Sequence, residues 1–301
     1  MSKIHGINRQ IEIRSDADTR AENKDHSGLR LNIHHYAADD PTFVLIHGLS
    51  SNARTWDQVA SHLADAGQTV ISVDQRGHGL SDKPDGGYDF ATVAEDLHLL
   101  MKALGLNQPI LAGQSWGGNV ALAFGAIYPE AVRGLAFIDG GYLDLQMRPN
   151  ATWEQIEKEL RPPKLAGTPY MVMKERLRSF HPEWEEVGIE GTLANFEVLP
   201  DETVRPWLTL PRHMMILRSL WEQRPSEFYP KVTVPVLICA ADNGSNSARL
   251  KVKKAQIDAA TSALLTSQTQ WFPETDHDIH VHRPKQLAEL FLDTLQSGIW
   301  S

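Results

Sequence analysis

The chain is poor in cysteine and has no long apolar run. Its single cysteine, Cys239, excludes a disulfide within the chain and suits a reducing compartment. The neighbouring residues Val236–Ile238 predict that Cys239 lies in a buried strand. No run approaches the ~20 apolar residues that span a bilayer, and the stretch from Asn8 to Asp25 is polar where a signal peptide would be apolar. We therefore expect a cytoplasmic protein.

Basic patches are also missing. The 301 residues carry 29 lysines and arginines against 38 aspartates and glutamates, a formal net charge of −9, and no basic block stands out. This balance argues against nucleic acid and membrane surfaces as partners, so we expect a small-molecule substrate. The composition does not decide between a monomer and a homodimer. With 42% apolar residues the chain can bury a large core, as one domain with an insertion or as two domains.

Apolar runs typical of buried strands alternate along the chain with segments of helical periodicity. In residues 91–104, for example, Val93, Leu97 and Leu100 recur at helical spacing before Gly105 ends the segment. Strands that alternate with helices predict right-handed crossovers and a mostly parallel, doubly wound sheet, an α/β fold. The segments predicted as strands are 11–13, 31–33, 42–46, 69–73, 109–112, 134–138, 234–239 and 270–272.

The segment 145–228 differs in composition. It is rich in Trp, Met, Pro, Arg and Glu, strand runs are scarce, and helical spacing appears at 154–160, 171–180 and 213–221. We therefore predict a helical lid at 145–228, inserted after the strand that ends near Asp139, and a core formed by residues 1–144 and 229–301. In an α/β sheet such an insertion emerges at the carboxyl ends of the strands, above the substrate crevice.

The run Gly113–Gln114–Ser115–Trp116–Gly117 lies between a predicted strand and a predicted helix. A tight turn from strand to helix forces the central serine into a strained backbone conformation, which the flanking glycines tolerate because they lack a Cβ. The hydroxyl is then lifted clear of the sheet, and the N–H of Trp116 faces the group that it attacks. The pattern predicts that Ser115 is a nucleophile.

A serine needs a base within hydrogen-bond reach. His277 is the best placed of the thirteen histidines, because it follows the predicted final strand and could reach Ser115 across the carboxyl ends of the sheet. The run Asp276–His282 also suggests a metal site, but it lacks the spacing and the outside partners typical of zinc ligands. We expect no metal and no cofactor, and we interpret His280 and His282 as solvated or pocket-lining residues.

Acyl transfer also requires donors aimed at the oxyanion that develops on the attacked carbonyl. The residues His47–Gly48–Leu49 follow the strand run that ends at Ile46. We predict that the backbone N–H of Leu49 pairs with that of Trp116 to form an oxyanion hole. We expect His47 to brace the turn rather than to act as a second base.

Taken together, these motifs resemble the α/β-hydrolase superfamily, in particular its lid-bearing serine esterases and lactonases. The run Leu45–Leu49 is similar to the family's oxyanion strand, Asp74–Ser81 to its loop after the following strand, and Gly113–Gly117 to its nucleophile elbow. The resemblance runs from about Gly28 to Leu295 apart from the insertion. It implies a Ser–His–acid triad, and it identifies the insertion as the family's lid domain.

The acid of that triad is open between two positions. The resemblance usually places it shortly after the strand 234–239, where this chain has Asp242 and then Gly244 in the expected slot. Some relatives, such as certain haloalkane dehalogenases, carry it after the preceding strand, where this chain has Asp139. A buried carboxylate there could hold the Nδ1–H of His277 and fix its tautomer. We favour Asp139 and keep Asp242 as the alternative.

The candidate substrate pocket comprises Ser50, Tyr142, Trp153, His213 and Met214, and the lid's aromatic and methionine side chains favour an apolar ligand. We predict a serine hydrolase that cleaves a small or medium apolar ester, thioester or lactone through an acyl-enzyme. Dehalogenases and epoxide hydrolases with an aspartate nucleophile are not expected, because a serine stands in its place. The alternatives are a carbon–carbon bond hydrolase or a lyase with the same Ser/His/Asp set, and a ligand-binding receptor with a slow triad.

Overall fold

An eight-stranded sheet forms the centre of the protein in the computed structural model, which describes residues 6–14, 28–38, 41–244 and 248–300. Much of the polar N-terminal stretch, and residues 245–247 of the loop that follows Asp242, lie outside the described residues. The strands are β1 (Ile7–Ile13), β2 (Leu29–Tyr36), β3 (Pro41–Ile46), β4 (Thr69–Asp74), β5 (Ile110–Gln114), β6 (Gly134–Ile138), β7 (Thr168–Pro169), β8 (Phe196–Val198), β9 (Thr203–Pro206), β10 (Val236–Asp242) and β11 (Ser267–Pro273).

The order of strands in the large sheet is β1-β2-β4-β3-β5-β6-β10-β11. All neighbours from β4 to β11 in this order pair in parallel, whereas β1 and β2 pair antiparallel at one edge. Every described residue of β4, β5 and β6 is buried, because helices cover both faces of a parallel sheet. The predicted mostly parallel sheet is confirmed.

The large helices are divided between the two faces of the sheet. On one face, α2 and α3 pack against each other and contribute Leu97 and Phe124 to the main core. On the other face, α1 and α10 pack together, and Phe291 stacks on Phe43 with ring centroids 5.6 Å apart. None of the helices in the described ranges combines the length and apolar character needed to cross a membrane. The helices are α1 (Asp57–Asp65), α2 (Phe90–Ala103), α3 (Trp116–Ile127), α4 (Trp153–Leu160), α5 (Tyr170–Phe180), α6 (Glu186–Leu193), α7 (Leu210–Glu222), α8 (Ala248–Ala263), α9 (Ile279–His282) and α10 (Pro284–Gln296).

The segment between β6 and β10 contains α4 to α7 and a second, three-stranded sheet of order β7-β9-β8. Its predicted helices at 154–160, 171–180 and 213–221 correspond to α4, α5 and α7. Neither α6 nor the small sheet was predicted from the sequence. The strands of the small sheet have 2, 3 and 4 residues, which is too short to show a periodic pattern. The segment is therefore not purely helical, and the lid boundaries at 145 and 228 stay a prediction.

Hydrogen bonds tie this segment to the loops that follow β3 and β4. Asn52 donates to the carbonyl of Gly191 (2.8 Å), and Arg212 donates to the carbonyl of Pro84 (3.0 Å) and to the carboxylate of Asp85 (2.8 Å). The loops after parallel strands lie at their carboxyl edge. The segment therefore covers the edge of the sheet where β5 ends.

Candidate active site

Ser115 occupies the turn between β5 and α3 with a backbone φ of 53°, in the left-handed region that residues with a side chain rarely adopt. Its N–H donates to the carbonyl of Ile138 (2.9 Å), and its own carbonyl accepts from the N–H of Gly118 (2.9 Å). A Cβ on Gly113 would collide with the backbone of Gly117, so this close approach requires glycine. The turn has the strained strand-to-helix geometry that the sequence pattern predicts.

His277 lies in the loop between β11 and α9, and its Nδ1 is 2.7 Å from Oδ2 of Asp139. Asp139 directly follows β6, at the same edge of the sheet as Ser115. An ionised carboxylate can only accept a hydrogen bond, so Nδ1 donates and the lone pair of the neutral ring is on Nε2. The structure thus brings together the predicted base and the favoured acid.

Asp139 is almost fully buried, and both of its carboxylate oxygens have partners. Oδ1 accepts from the hydroxyl of Tyr142 (2.7 Å) and from the N–H of Ala241 (3.1 Å), and Lys253 Nζ lies 2.8 Å from both oxygens. Burial alone would raise the pKa of Asp139, but the hydrogen bonds and charges of His277 and Lys253 lower it to about 2. The carboxylate is therefore ionised at neutral pH.

The same contacts set the basicity of His277. Burial and the charge of Lys253 lower the pKa of the imidazole, whereas the hydrogen bond and charge of Asp139 raise it, and the net result is a pKa above the usual value. Half of the His277 side-chain surface is exposed (50%), so a ligand can reach the ring. The arrangement suits a general base that works near neutral pH.

Gln114, the residue before Ser115, links the elbow to the His277 loop. Its amide donates to the carbonyl of His277 (3.4 Å) and to Oδ1 of Asp278 (3.2 Å). Burial raises the pKa of the Asp278 carboxyl, and the charge of His277 opposes that shift. The sequence analysis did not predict this link, because a glutamine inside a five-residue motif gives no sign of its distant partner.

The alternative acid, Asp242, contacts a different group. Its Oδ1 accepts the N–H of Gly244 (3.0 Å) in the turn after β10. Among the hydrogen bonds of the described residues, the one from His277 Nδ1 ends at Asp139. The geometry therefore supports the position after β6 for the acid.

The loop after β3 lies against the elbow. A Cβ on Gly48 would collide with the side chain of Gln114 and come within 3.0 Å of Cβ of Ser115. His47 accepts the N–H of Gln75 at Nε2 (3.1 Å) and contacts the Gly48 carbonyl through Nδ1 (2.7 Å), as expected of a residue that braces the turn. Its pKa is lowered to about 4 by burial, although the bond to Gly48 opposes the shift. His47 is therefore neutral, and it is occupied at both nitrogens.

Leu49 lies in the loop after β3, and Trp116 is the first residue of α3. In the part of the chain that the structure describes, neither backbone N–H donates to another backbone acceptor in a turn or loop. An oxyanion hole requires donors that are not engaged in this way. The pairing of the two as an oxyanion hole stays a prediction.

The five predicted pocket residues have different surroundings. Ser50 Oγ lies 2.8 Å from Nδ1 of His213, so these two are in contact. Tyr142 is buried and directs its hydroxyl to Asp139. Trp153 and Met214 are half-buried and pack against the main core. Their role in binding a substrate stays a prediction.

A cavity of about 920 Å³ opens between the start of the lid segment and the helix α8. Its wall combines apolar side chains with three basic ones that the sequence analysis did not predict as site residues, Arg148, Arg249 and Lys253. Arg148 precedes α4, whereas Arg249 and Lys253 lie four residues apart on α8, so no local pattern joins all three. The lining residues include His277, Asp139, Leu143, Leu145, Arg148, Ile156, Arg249 and Lys253.

The histidines after His277 differ from the prediction. His280 is buried, with its ring centroid 4.5 Å from that of Trp56, and burial lowers its pKa to about 3. The prediction of a solvated or pocket-lining His280 is therefore wrong, because the short helix α9 turns this ring into the core. His282 accepts the N–H of Asp276 at Nδ1 (3.1 Å) and so shapes the loop of the base.

One group of side chains in the described residues has the spacing of a metal site. Ligand atoms of His181, Glu183 and Asp276 all lie within 4.8 Å of one another, and Nδ1 of His181 is 3.4 Å from Oδ2 of Asp276. Direct contacts between His181 and the two carboxylates would account for the same spacing. The prediction of no metal and no cofactor stays a prediction.

Comparisons with known proteins bear on the fold. The family described as "alpha/beta hydrolase fold" matches residues 41–171. The solved structure of E-2-(acetamidomethylene)succinate hydrolase superposes with a TM-score of 0.75 and 24% identity over 97% of this chain and 100% of that one. The thioesterase domain from the curacin biosynthetic pathway superposes with a TM-score of 0.73 and 18% identity over 95% and 99%. These likenesses show the fold.

Two curated relatives match over shorter stretches. The 2-(acetamidomethylene)succinate hydrolase of Mesorhizobium japonicum is 39% identical over 99 residues, which is 33% of this chain and 35% of that protein. A haloalkane dehalogenase of the same species is 32% identical over 121 residues, 40% of this chain and 37% of that protein. The matched stretches thus span little more than a third of the length of these relatives.

A mostly parallel sheet, a left-handed serine at a strand-to-helix turn and a histidine–aspartate pair at the same edge define the class of α/β hydrolases. The family match and the solved structures agree with this class. Residues 41–171 match the α/β-hydrolase family, and the whole chain has that fold.

Proposed function

We propose that the protein is a serine hydrolase in which Ser115 is the nucleophile, His277 the general base and Asp139 the acid that orients the base. The proposal rests above all on the 2.7 Å contact between His277 Nδ1 and Asp139 Oδ2 at the edge of the sheet that presents Ser115. That contact supports the tautomer in which Nε2 can accept the serine proton.

In the proposed reaction, Ser115 Oγ bonds to the carbonyl carbon of the substrate while its proton passes to Nε2 of His277. The negative charge that develops on the carbonyl oxygen is stabilised by the N–H groups of Leu49 and Trp116. The bond from the carbonyl carbon to the leaving group then breaks, and His277 returns the proton to the leaving group. A water molecule attacks the acyl-enzyme by the same route and releases a carboxylic acid and free Ser115.

We propose an ester, thioester or lactone with a small or medium apolar part as the substrate. The apolar side chains of Leu143, Leu145 and Ile156 support this choice, because they line the cavity beside His277. The small-molecule partner and the cytoplasmic location stay predictions.

A phosphonate probe and a substrate panel test the proposal. A fluorophosphonate should label the wild type rapidly and stoichiometrically at Ser115, and S115A should be neither labelled nor active. The panel is a series of p-nitrophenyl esters of increasing acyl length, with matched thioesters and lactones. A wild type that is not labelled and turns over no member of the panel would contradict the proposal and favour a ligand-binding role.

A second candidate function is the hydrolysis of substrates that carry a carboxylate. Arg148 and Arg249 favour it, because both line the cavity that also holds His277. Burial lowers the pKa of Arg148, and the charge of Arg249 lowers that pKa further. The carboxylate of Glu159, 3.4 Å away, opposes this shift. Guanidinium groups brought together in a cavity attract an anion, and the solved relative is named for a succinate derivative.

The two candidates differ in their response to R148Q. For a carboxylate-bearing substrate, the variant should lower kcat/KM for mono-p-nitrophenyl succinate about tenfold, the equivalent of ~1.4 kcal/mol, and leave p-nitrophenyl acetate unaffected. R161Q is the control, since Arg161 pairs with Glu157 at the surface. Equal effects of R148Q on both esters would contradict the second candidate.

A further inference from the structure

Ser50 directly follows Leu49, whose N–H is a proposed oxyanion donor. Its backbone φ of 61° lies in the left-handed region, although serine has a side chain. Such a conformation persists only where the surroundings fix it. The described structure fixes it from two sides, through His78 of the core and His213 of the lid segment.

The contact from the core is a hydrogen bond from the backbone N–H of Ser50 to the ring of His78. Nδ1 of His78 lies 3.0 Å from the carbonyl of Arg76, which can only accept, so Nδ1 carries the hydrogen. Nε2 is then the acceptor for the N–H of Ser50 at 3.3 Å. The His78 ring also stacks on the ring of Trp116, with centroids 5.6 Å apart. One buried imidazole thus contacts Trp116, one proposed donor, and Ser50, the residue after the other.

The contact from the lid segment is a side-chain hydrogen bond. Nε2 of His213 lies 3.3 Å from the carbonyl of Leu160, so this nitrogen carries the hydrogen and Nδ1 is an acceptor. The hydroxyl of Ser50 donates to that Nδ1 at 2.8 Å. Leu160 ends α4 and His213 lies in α7, so one imidazole joins two lid helices to the loop after β3.

The charge state of His213 agrees with this arrangement. The side chain is buried at 6% exposure, and burial lowers its pKa, although the bond to Leu160 opposes the shift. A neutral imidazole has one donor and one acceptor, and both are used here. The geometry therefore defines one orientation of the ring and one direction of the Ser50 hydroxyl.

We propose that His213 is a positioning residue for the oxyanion hole, which it holds in place through Ser50. The N–H of Leu49 belongs to the Gly48–Leu49 peptide, directly before the peptide that carries the N–H of Ser50. A change of the backbone conformation at Ser50 would therefore tilt the Leu49 donor away from the oxyanion. The lid segment thereby influences the geometry of the oxyanion hole without contacting the reacting atoms. This inference rests on the proposed serine-hydrolase function.

The first test measures kcat and KM for a neutral aryl ester such as p-nitrophenyl acetate. Outright loss of an oxyanion donor costs about 10²–10³ in rate, and a tilted donor costs less. We expect H213L to lower kcat about tenfold with KM near the wild-type value. H213N should recover most of the rate, because its amide oxygen can accept from Ser50. A change in KM alone would mean that His213 only lines the pocket, and would overturn the inference.

Two controls separate this route from a general loosening of the lid segment. S50A should lower kcat as much as H213L, and the double variant should be no slower than S50A alone, because both act through one contact. R212Q removes a different tie between lid segment and core, one residue away, and should leave kcat unchanged. Independent, multiplicative losses in the double variant, or an equal loss in R212Q, would overturn the inference.

A transition-state analogue gives a readout that substrate turnover does not. A trifluoromethyl ketone adds to the nucleophile and places an oxyanion in the hole. H213L should therefore lower the affinity for the ketone by about the same factor as it lowers kcat/KM. Unchanged affinity for the ketone would contradict the positioning role. Failure of the wild type to react with the fluorophosphonate would instead refute the proposed function itself.

Discussion

Lys253 Nζ lies 2.8 Å from each carboxylate oxygen of Asp139 and also donates to the carbonyl of Ala241 at 2.9 Å. One of those carboxylate oxygens, Oδ2, is the partner of His277. The proposed acid thus lies between the imidazole of His277 and the side chain of Lys253. Since Asp139 raises the pKa of His277 and Lys253 lowers it, the pair sets the pH at which the base becomes neutral.

We expect K253M to shift the pH dependence of catalysis. Removing the ammonium removes an effect that lowers the pKa of His277, so that pKa rises further. His277 must be neutral to accept a proton, so the acidic limb of the kcat/KM profile should move to higher pH. The measurement is hydrolysis of a neutral aryl ester across pH 5–9. K254M, which changes the adjacent and exposed lysine, should leave the limb in place, and a shift to lower pH in K253M would contradict the electrostatic argument.

Exchanging each candidate acid for its amide should locate the third member of the triad. D139N should lower kcat by about 10⁴, the loss caused by the same exchange in a serine protease, because the amide favours the wrong tautomer of the base. D242N should remain close to the wild type, since Asp242 caps a turn. Circular dichroism checks that both variants fold. If D242N were the damaged variant, the assignment of the acid to Asp139 would be wrong.

The strained elbow predicts opposite effects of small substitutions on activity and stability. S115A and S115G should both be inactive, but S115G should be more stable than S115A by about 1 kcal/mol, because glycine adopts a positive φ without strain. Urea unfolding of both variants measures the difference. Equal unfolding midpoints would show that the turn stores no strain.

Close packing behind the elbow predicts a further pair of results. A Cβ on Gly140 would collide with the backbone of Ser115, so G140A should displace the nucleophile, abolish most activity and cost about 1–3 kcal/mol of stability. Gly86 has open space around it, and G86A is the matched control, with wild-type activity expected. An active G140A would mean that the elbow tolerates displacement.

Local sequence patterns predicted the elements that are long and the turns that have a distinctive composition. The run Gly113–Gly117 and the continuous apolar strands belong to this group, because burial on both faces of a parallel sheet leaves a direct trace in residue type. The strands of the small second sheet leave none. His280 was misjudged because polar neighbours concealed that α9 turns its ring inward.

Local sequence patterns could not predict contacts between residues that are distant in the chain. Asp139 follows β6 and Asp242 ends β10, and only the three-dimensional arrangement distinguishes the one that contacts His277. Lys253 and the pair of Ser50 with His213 depend on how α8 and the lid segment pack against the sheet. Both contacts join residues more than a hundred positions apart, so no local signal exists for them.

The position of Asp139 at the end of β6 has a consequence for how this protein could change. With the acid placed there, the turn beyond β10 that contains Gly244 carries no proposed catalytic group. That turn borders the cavity beside His277, so its length and residues could be exchanged to suit a new ligand while Ser115, His277 and Asp139 stay in place. It is therefore the natural segment to diversify in a library that seeks altered selectivity.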